Sequence, residues 1–198
     1  ANNIPIYTGL ITDWDINYDM GFNDTVTVQC ADQFTVLSNQ LINAVTPSAE
    51  ATGTRINTVL NFAEINYQGA RSIDTGSSTL GAFSIDQDTN CLNYLQQVNT
   101  SEQGYLFMSA AGTLTFKGRS SVLNPVSGAT FNGDGTGLPF SSLINQYGDE
   151  LLYNYISTQS PAGAVQVTSN ATSIAQYQSQ QYSLLDLLNS TTAEVAAL

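Results

Sequence analysis

The sequence contains no histidine, one tryptophan, two cysteines and four basic residues, Arg55, Arg71, Lys117 and Arg119. Without histidine the chain cannot build a Ser-His-Asp or Cys-His nucleophile pair, a His-ligated zinc site or a His general base. Lys117 is the only lysine and lies in no Gly-x-x-x-x-Gly-Lys context, which excludes a phosphate-cradling P-loop. Cys30 and Cys91 are far apart and form no Cys-x-x-Cys pattern. They are expected to be buried free thiols, since cysteine is among the most buried residue types. One disulfide between them is the alternative that sequence separation leaves open.

Charge is equally scarce. Only 10% of residues are Asp, Glu, Lys or Arg, against roughly 25% in an average soluble protein. Sixteen acids against the four bases give a net charge of -12. That field repels phosphate backbones and anionic lipid heads, so neither specific nucleic-acid binding nor a membrane-surface role is expected. No apolar run approaches the roughly 18 residues of a membrane helix, and the opening "ANNIPIYTG" lacks the basic and apolar regions of a signal peptide. At 198 residues and 21.2 kDa the chain can bury a core without metal or disulfide.

What stands in place of charge is Asn, Gln, Ser and Thr, with ten tyrosines. Residues 7 to 19, "YTGLITDWDINYD", alternate, with Leu10, Thr12, Trp14, Ile16 and Tyr18 on one side, which predicts a half-buried strand with Trp14 in the core. "TVTVQCA" resumes the period with Val26, Val28 and Cys30 inward, completing an antiparallel hairpin. Phe34, Leu37 and Leu41 follow Asp32 at helical spacing and predict a helix that closes near residue 42. "AVTPSAEATG" reads as a linker, and Ile56, Val59, Leu60 and Phe62 then fall on one helical face. Residues 104 to 119 predict a hairpin with Gly112 as the left-handed residue of a three-residue loop. A Gly/Pro/Asn-rich boundary precedes two more strand candidates, "ELLYNYIST" and "AVQVTS". "TSIAQYQSQQ" and "TTAEVAAL" have helical composition, and the last apolar run reaches residue 198 without a C-cap, as if the chain were cut inside an element.

The chemistry left open by these absences is that of carboxylates, five Glu and eleven Asp. A glycosidase would need two of them facing across a cleft, and Asp13, Asp15, Glu102, Asp149 and Glu150 are candidates that spacing does not separate. In "SIDQDTNCLNYLQQV", Asp86, Asp88 and Asn90 match the first ligand positions of a calcium loop, but Cys91 replaces its turn glycine and Gln97 its bidentate glutamate. The same residues suit a helix start: Asp88 or Thr89 as N-cap, acids at the positive end, and Leu92, Leu95 and Val98 as the apolar face. "NGDGTG", at 132 to 137, reads as a tight solvated turn. No catalytic, cofactor-binding or metal-binding residue is therefore assigned, and no cofactor is expected.

Several stretches together, "IYTGLITDWDINYD" with "DTVTVQCADQFTVLSNQ", "TNCLNYLQQVNTSEQGYLFMSAAGTLTFKGRSS", "YGDELLYNYIS" and "SIAQYQSQQYSLLDLL", carry a resemblance across most of residues 4 to 198. Their order and spacing resemble the minor tail proteins of long-tailed bacteriophages, in the part that forms the tail-tip or baseplate hub. The marks are Tyr7-Thr8-Gly9, then Ala31, Asp32, Phe34 and Leu37, then Glu102, Gly104, Phe107, Gly112, Phe116 and Arg119. The chain departs from the pattern at Leu10, where Arg is common after the opening Gly, and at Gln178, where Gly usually follows Tyr177.

The resemblance implies an α+β chain of mostly antiparallel strands in barrel-like lobes with a few short helices. Residues 1 to 46 would end a first barrel-like lobe, 47 to 125 form a mixed helix and hairpin lobe, and 126 to 198 form part of a second barrel-like lobe. It implies a non-enzymatic structural protein of the virion, located at the tail tip. Its expected partners are two further copies in a homotrimer and the tail-tube, distal-tail, tape-measure and tip proteins. The chain is then expected to be one section of a longer protein. A scarcity of Lys, Glu and Asp with abundant Tyr suits extensive subunit contacts. Two rival functions are a receptor- or glycan-binding tail adhesin and a carboxylate-dependent cell-wall hydrolase.

Overall fold

Alternation at the start of the chain produces a long hairpin, β1 (Leu10–Asn17) against β2 (Thr25–Ala31). Its antiparallel register pairs Ile11 with Cys30, Trp14 with Val28 and Ile16 with Val26, and slips by one residue at Thr12. The structure, a computed structural model, describes residues 4–21, 24–123, 129–144, 152–161 and 163–196.

After the hairpin, Asp32 turns the chain by accepting from Phe34 N at 3.0 Å, and α1 (Phe34–Ser38) begins. The helix expected to reach residue 42 stops earlier. Ser38 Oγ bonds back to Thr35 O at 2.8 Å, and Leu41–Ile42 pairs as β3 with a later strand instead of continuing the helix. The expected linker holds a short strand, β4 (Glu50–Ala51), and the first turn of α2 (Thr52–Leu60), whose Ile56, Val59 and Leu60 are buried. Phe62 lies past the helix end and packs against the core only in part.

Next come β5 (Arg71–Ile73), β6 (Thr79–Leu80), β7 (Thr89–Asn90) and α3 (Cys91–Glu102). The stretch at 84 to 98 does open a helix, but its cap is Asn90, whose side chain accepts from Asn93 N at 3.0 Å. Asp88 adopts φ 63 in the turn before it and so cannot be the extended capping residue. Leu95 and Val98 are buried as expected, and Cys91 and Tyr94 share that face.

The predicted second hairpin is β8 (Tyr105–Met108) with β9 (Leu114–Lys117). Ser109 N donates to Thr113 O, leaving a three-residue loop in which Gly112 has φ 76. α4 (Arg119–Leu123) follows within the expected boundary region. Beyond it lie β10 (Tyr155–Thr158), β11 (Gln166–Ser169), α5 (Ala171–Tyr177), β12 (Gln181–Leu184) and α6 (Thr192–Ala196).

Sheets among the described residues have two or three strands and none closes into a barrel. In one, β9 pairs parallel with β5 and antiparallel with β8; in another, β10 pairs antiparallel with β11 and parallel with β12. This mixture of short helices and small sheets is an α+β fold. The core draws Leu37 and Ile42 from the first third of the chain, and Ile56, Leu95 and Phe116 from α2, α3 and β9. Leu188 joins them from the C-terminal third, its N–H donating to Ser101 Oγ at 2.8 Å and its carbonyl accepting from Gly81 N.

Candidate functional site: an uncovered hairpin face

Cross-strand partners share a face of a sheet, so the register assigns Ile11, Trp14 and Ile16 to the same side as Cys30, Val28 and Val26. The extra residue at Thr12 is what brings Ile11 into line with Trp14, as a β-bulge does. Thr12 Oγ1 closes the irregularity by donating to Gln29 O at 3.2 Å. Asp13, Asp15, Thr27 and Gln29 fall on the opposite side, so one face is apolar and uncharged and the other polar.

This apolar face is not buried, contrary to the expectation for Trp14. Ile11 is 61% exposed, Trp14 63%, Ile16 54%, Val26 57% and Val28 45%. Among the described residues no second layer packs against the two-stranded sheet, and alternation alone could not have shown that. Cys30 shares the face and is exposed, whereas Cys91 is buried, and both are free thiols. The expectation of two buried thiols therefore holds for Cys91 only, with the same physical reason as for Trp14.

The root of the hairpin is fixed by the Tyr7-Thr8-Gly9 stretch. Thr8 Oγ1 donates to Ala110 O at 2.9 Å, in the loop of the second hairpin. Gly112 lies so close to this threonine that an added Cβ would meet Thr8 Cγ2 at 2.9 Å. Behind the root, on the polar side with Leu10, lies a concave site of about 270 Å³ lined by Leu10, Val36, Gln40, Ile65 and Tyr67. Gln40 Nε2 donates to Ile65 O at 3.0 Å, while its Oε1 is buried with no hydrogen-bond partner. Tyr67 OH bonds to Gln33 Oε1, and its ring lies under the Arg71 guanidinium at 5.6 Å.

The candidate acids are not brought together across a cleft. Asp13 and Asp15 stand on the exposed hairpin, Asp13 accepting from Trp14 N at 2.8 Å. Asp149 and Glu150 lie outside the described residues. Glu102 is fully buried and accepts four hydrogen bonds: from Ser77 N at 2.7 Å, Ser78 N at 2.8 Å, Thr52 Oγ1 at 2.8 Å and Arg119 N at 3.2 Å. Burial pushes its carboxyl up, and the hydrogen bonds from Ser77, Ser78, Thr52 and Arg119 outweigh that and hold it below the ordinary value. Glu102 therefore clamps α2, the loop before β6 and the start of α4 onto the end of α3.

Asp74, which no sequence pattern singled out, does similar work at the same corner. It accepts from Ser121 Oγ at 2.8 Å, Gly118 N at 3.3 Å and Lys117 Nζ at 3.1 Å. The Ser121 bond, with those from Lys117 and Gly118, holds the Asp74 carboxyl below its ordinary value against the effect of burial. Arg55 is likewise buried, donating to Glu50 at 2.6 Å, Tyr94 OH at 2.9 Å and the carbonyls of Ser48 and Gly81. Such polar groups have long-range partners, so only the folded chain reveals their roles.

Asp86 and Asp88 serve the turn before α3. Thr89 Oγ1 donates to Asp86 O at 2.7 Å, and Asp88 Oδ1 accepts from Gln87 Nε2 at 3.0 Å. Asp134 accepts from Thr136 N and Oγ1, and with Gly135 at φ 85 the "NGDGTG" run is a tight turn as expected. Gln178, at the position where the resemblance calls for Gly, has φ 62 and ψ 178.

No protein-family model matches the sequence, and no curated protein matches it. Solved structures share its fold, and three of them are tail proteins. A tail protein from Neisseria meningitidis aligns over 96% of this chain and 56% of its own, with TM-score 0.58 and 11% identity. The 43 kDa tail protein of prophage MuSo2 from Shewanella oneidensis aligns over 97% and 55%, with TM-score 0.55 and 14% identity. A prophage tail protein from Listeria monocytogenes aligns over 92% and 55%, with TM-score 0.54 and 9% identity. The chain thus spans about half the length of each of them.

Proposed function

We propose that this chain is a non-enzymatic structural component of a phage tail, a section of the tail-tip hub that assembles as a homotrimer and contacts other tail proteins. The observation that carries the reading is the fold it shares, over more than nine-tenths of its length, with three tail proteins, two of them from prophages. The uncovered apolar face of β1 and β2 supports the subunit contacts, because exposed apolar surface of this kind marks interaction sites. A non-enzymatic role is supported by Glu102, whose oxygens are committed to neighbouring donors inside the fold. The lobes at 1 to 46, 47 to 125 and 126 to 198 belong to the same reading, with Leu37, Ile42 and Leu188 as contacts between adjacent lobes. Antibody labelling of intact virions in the electron microscope, together with the native mass of the assembly, tests it. Label at the tail tip and a threefold mass support the hub; label along the tube, or a monomer, refutes it.

A second reading, glycan binding, is favoured by one cleft of about 300 Å³ between α3, β8 and β12. Tyr105 and Tyr182 flank it with Asn99, Thr100 and Gln103, aromatic faces and amides that suit a neutral sugar. Saturable binding of N-acetylglucosamine oligomers that is lost in Tyr105→Ala would favour the adhesin over the hub.

A further inference from the structure

The register of the C-terminal sheet joins the cleft between α3, β8 and β12 to a second one. β10 lies between β11 and β12, and its Ile156 pairs with Thr168 on one side and Tyr182 on the other, so these three side chains share one face of the sheet. Over β10 and β11 that face holds a cleft of about 510 Å³, lined by Tyr153, Ile156, Thr168 and Ser169 among others. Tyr182 lines the first cleft and Tyr153 the second, and their rings meet at a centroid distance of 4.9 Å with planes 35° apart. Tyr105, Tyr182 and Tyr153 are all exposed and follow one another from the first cleft into the second.

We infer that this face binds an extended neutral oligosaccharide, one segment in each cleft, with the chain crossing the Tyr153–Tyr182 pair between them. The inference rests on the glycan-binding reading of the first cleft and extends its site. Tyrosine rings present an apolar face with a polar tip, which matches a pyranose, apolar on its C–H face and hydroxylated at its edge. Gln103 in the first cleft and the exposed Thr168 and Ser169 hydroxyls in the second can both donate and accept, as sugar hydroxyls require. Among the described residues no charged side chain lines either cleft, although the chain carries a net charge of -12. An anionic polymer would therefore meet repulsion and no cationic partner there, and a neutral one meets neither penalty. Strands in a sheet are about 4.8 Å apart, so β11 and β12 are separated by about 10 Å across β10. A single pyranose cannot reach both clefts, and a chain of several can.

Isothermal titration of the full chain with neutral oligomers of N-acetylglucosamine and of glucose, from disaccharide to hexamer, tests the inference. In at least one series the hexamer is expected to bind at least about tenfold tighter than the disaccharide, because its second contact is intramolecular. Thr168→Arg fills the second cleft from an exposed strand position, and Tyr153→Ala removes the ring between the clefts. Each is expected to bring the hexamer down to the affinity of the disaccharide and to leave the disaccharide, held in the first cleft, unchanged, whereas Tyr105→Ala weakens both. Circular dichroism identifies a variant that does not fold, and the other then decides. Equal affinities for disaccharide and hexamer in wild type, or wild-type affinity for the hexamer in a folded Thr168→Arg or Tyr153→Ala, overturn the two-cleft site and leave the single cleft standing. Absence of saturable binding in both series overturns the glycan reading and this inference together.

Discussion

Replacing Glu102 by glutamine isolates the charge at the buried corner, because the side chain keeps its length and shape. The two carboxylate oxygens accept two hydrogen bonds each, Oε1 from Ser77 N and Arg119 N, Oε2 from Ser78 N and Thr52 Oγ1. An amide has one oxygen, so two of the four donors would face an N–H group. A buried donor left without an acceptor costs about 1–3 kcal/mol, and the two together are expected to cost about 3 kcal/mol after the relief of burying one charge fewer. For a chain of this size that corresponds to a fall in Tm of about 6–12 °C. Urea denaturation of wild type and Glu102→Gln over a pH series is the assay. Since the folded carboxyl lies below its ordinary value of 4.5, its contribution is present above that value and is lost as the pH falls through the folded value. The difference between the two proteins should therefore be full at neutral pH and shrink in acid. Equal stabilities at neutral pH, or a difference that does not change with pH, would refute the clamp.

Three other outcomes follow from single positions. Gly112→Val should lower stability by about 1–2 kcal/mol from the left-handed backbone alone, and more from the contact with Thr8 Cγ2; an unchanged Tm would count against the turn. Gln178→Gly should raise stability, because φ 62 with ψ 178 is a region essentially reserved for glycine and worth about 1–3 kcal/mol of strain, partly offset by glycine's greater freedom when unfolded; a lower Tm would show that no strain is stored there. In the monomeric chain a thiol reagent should count one reactive cysteine, Cys30, and a second only in denaturant, since burial and the nearby Glu64 charge push the Cys91 thiol up to about 12. Two fast thiols in the native protein would contradict the buried position of Cys91.

Local rules made a good part of this fold readable. Period-two alternation marks β1 and β2, and Gly112 between two apolar runs marks β8, β9 and the loop at 110 to 112, because these signals depend on neighbours a few residues away. The pattern locates the start of α3, but residue type favours a cap one or two positions too early. Asp88 and Thr89 are good capping residues by type, yet the turn puts Asp88 at φ 63 and leaves the role to Asn90. α1 was drawn too long because Leu41 fits helical spacing, and only its pairing with Asn90 across fifty residues of sequence makes it a strand. The corner built by Asp74 and Glu102 was invisible for the same reason, since their partners come from four separate elements. By residue type and spacing alone, Glu102 is one acid among several.

The hairpin marks a different kind of boundary. Alternation reports that one face of a strand is apolar; what covers that face is a property of the surroundings, and among the described residues nothing covers Trp14 and its neighbours. The scarce charges point the same way. Arg55 is buried against Glu50, the half-exposed Lys117 pairs with Asp74, and Arg71 donates to Asn57, Asn61 and the Tyr67 carbonyl, so these bases are partnered within the chain. A lone soluble domain ordinarily protects its strand edges and apolar faces with outward lysines and acids. Here the basic side chains with described partners serve internal contacts, and the front of the hairpin carries no charge at all. A chain arranged in this way leaves an apolar face open where alternation is longest, and under the proposed assembly the burial that the sequence pattern predicts for Trp14 is expected between subunits.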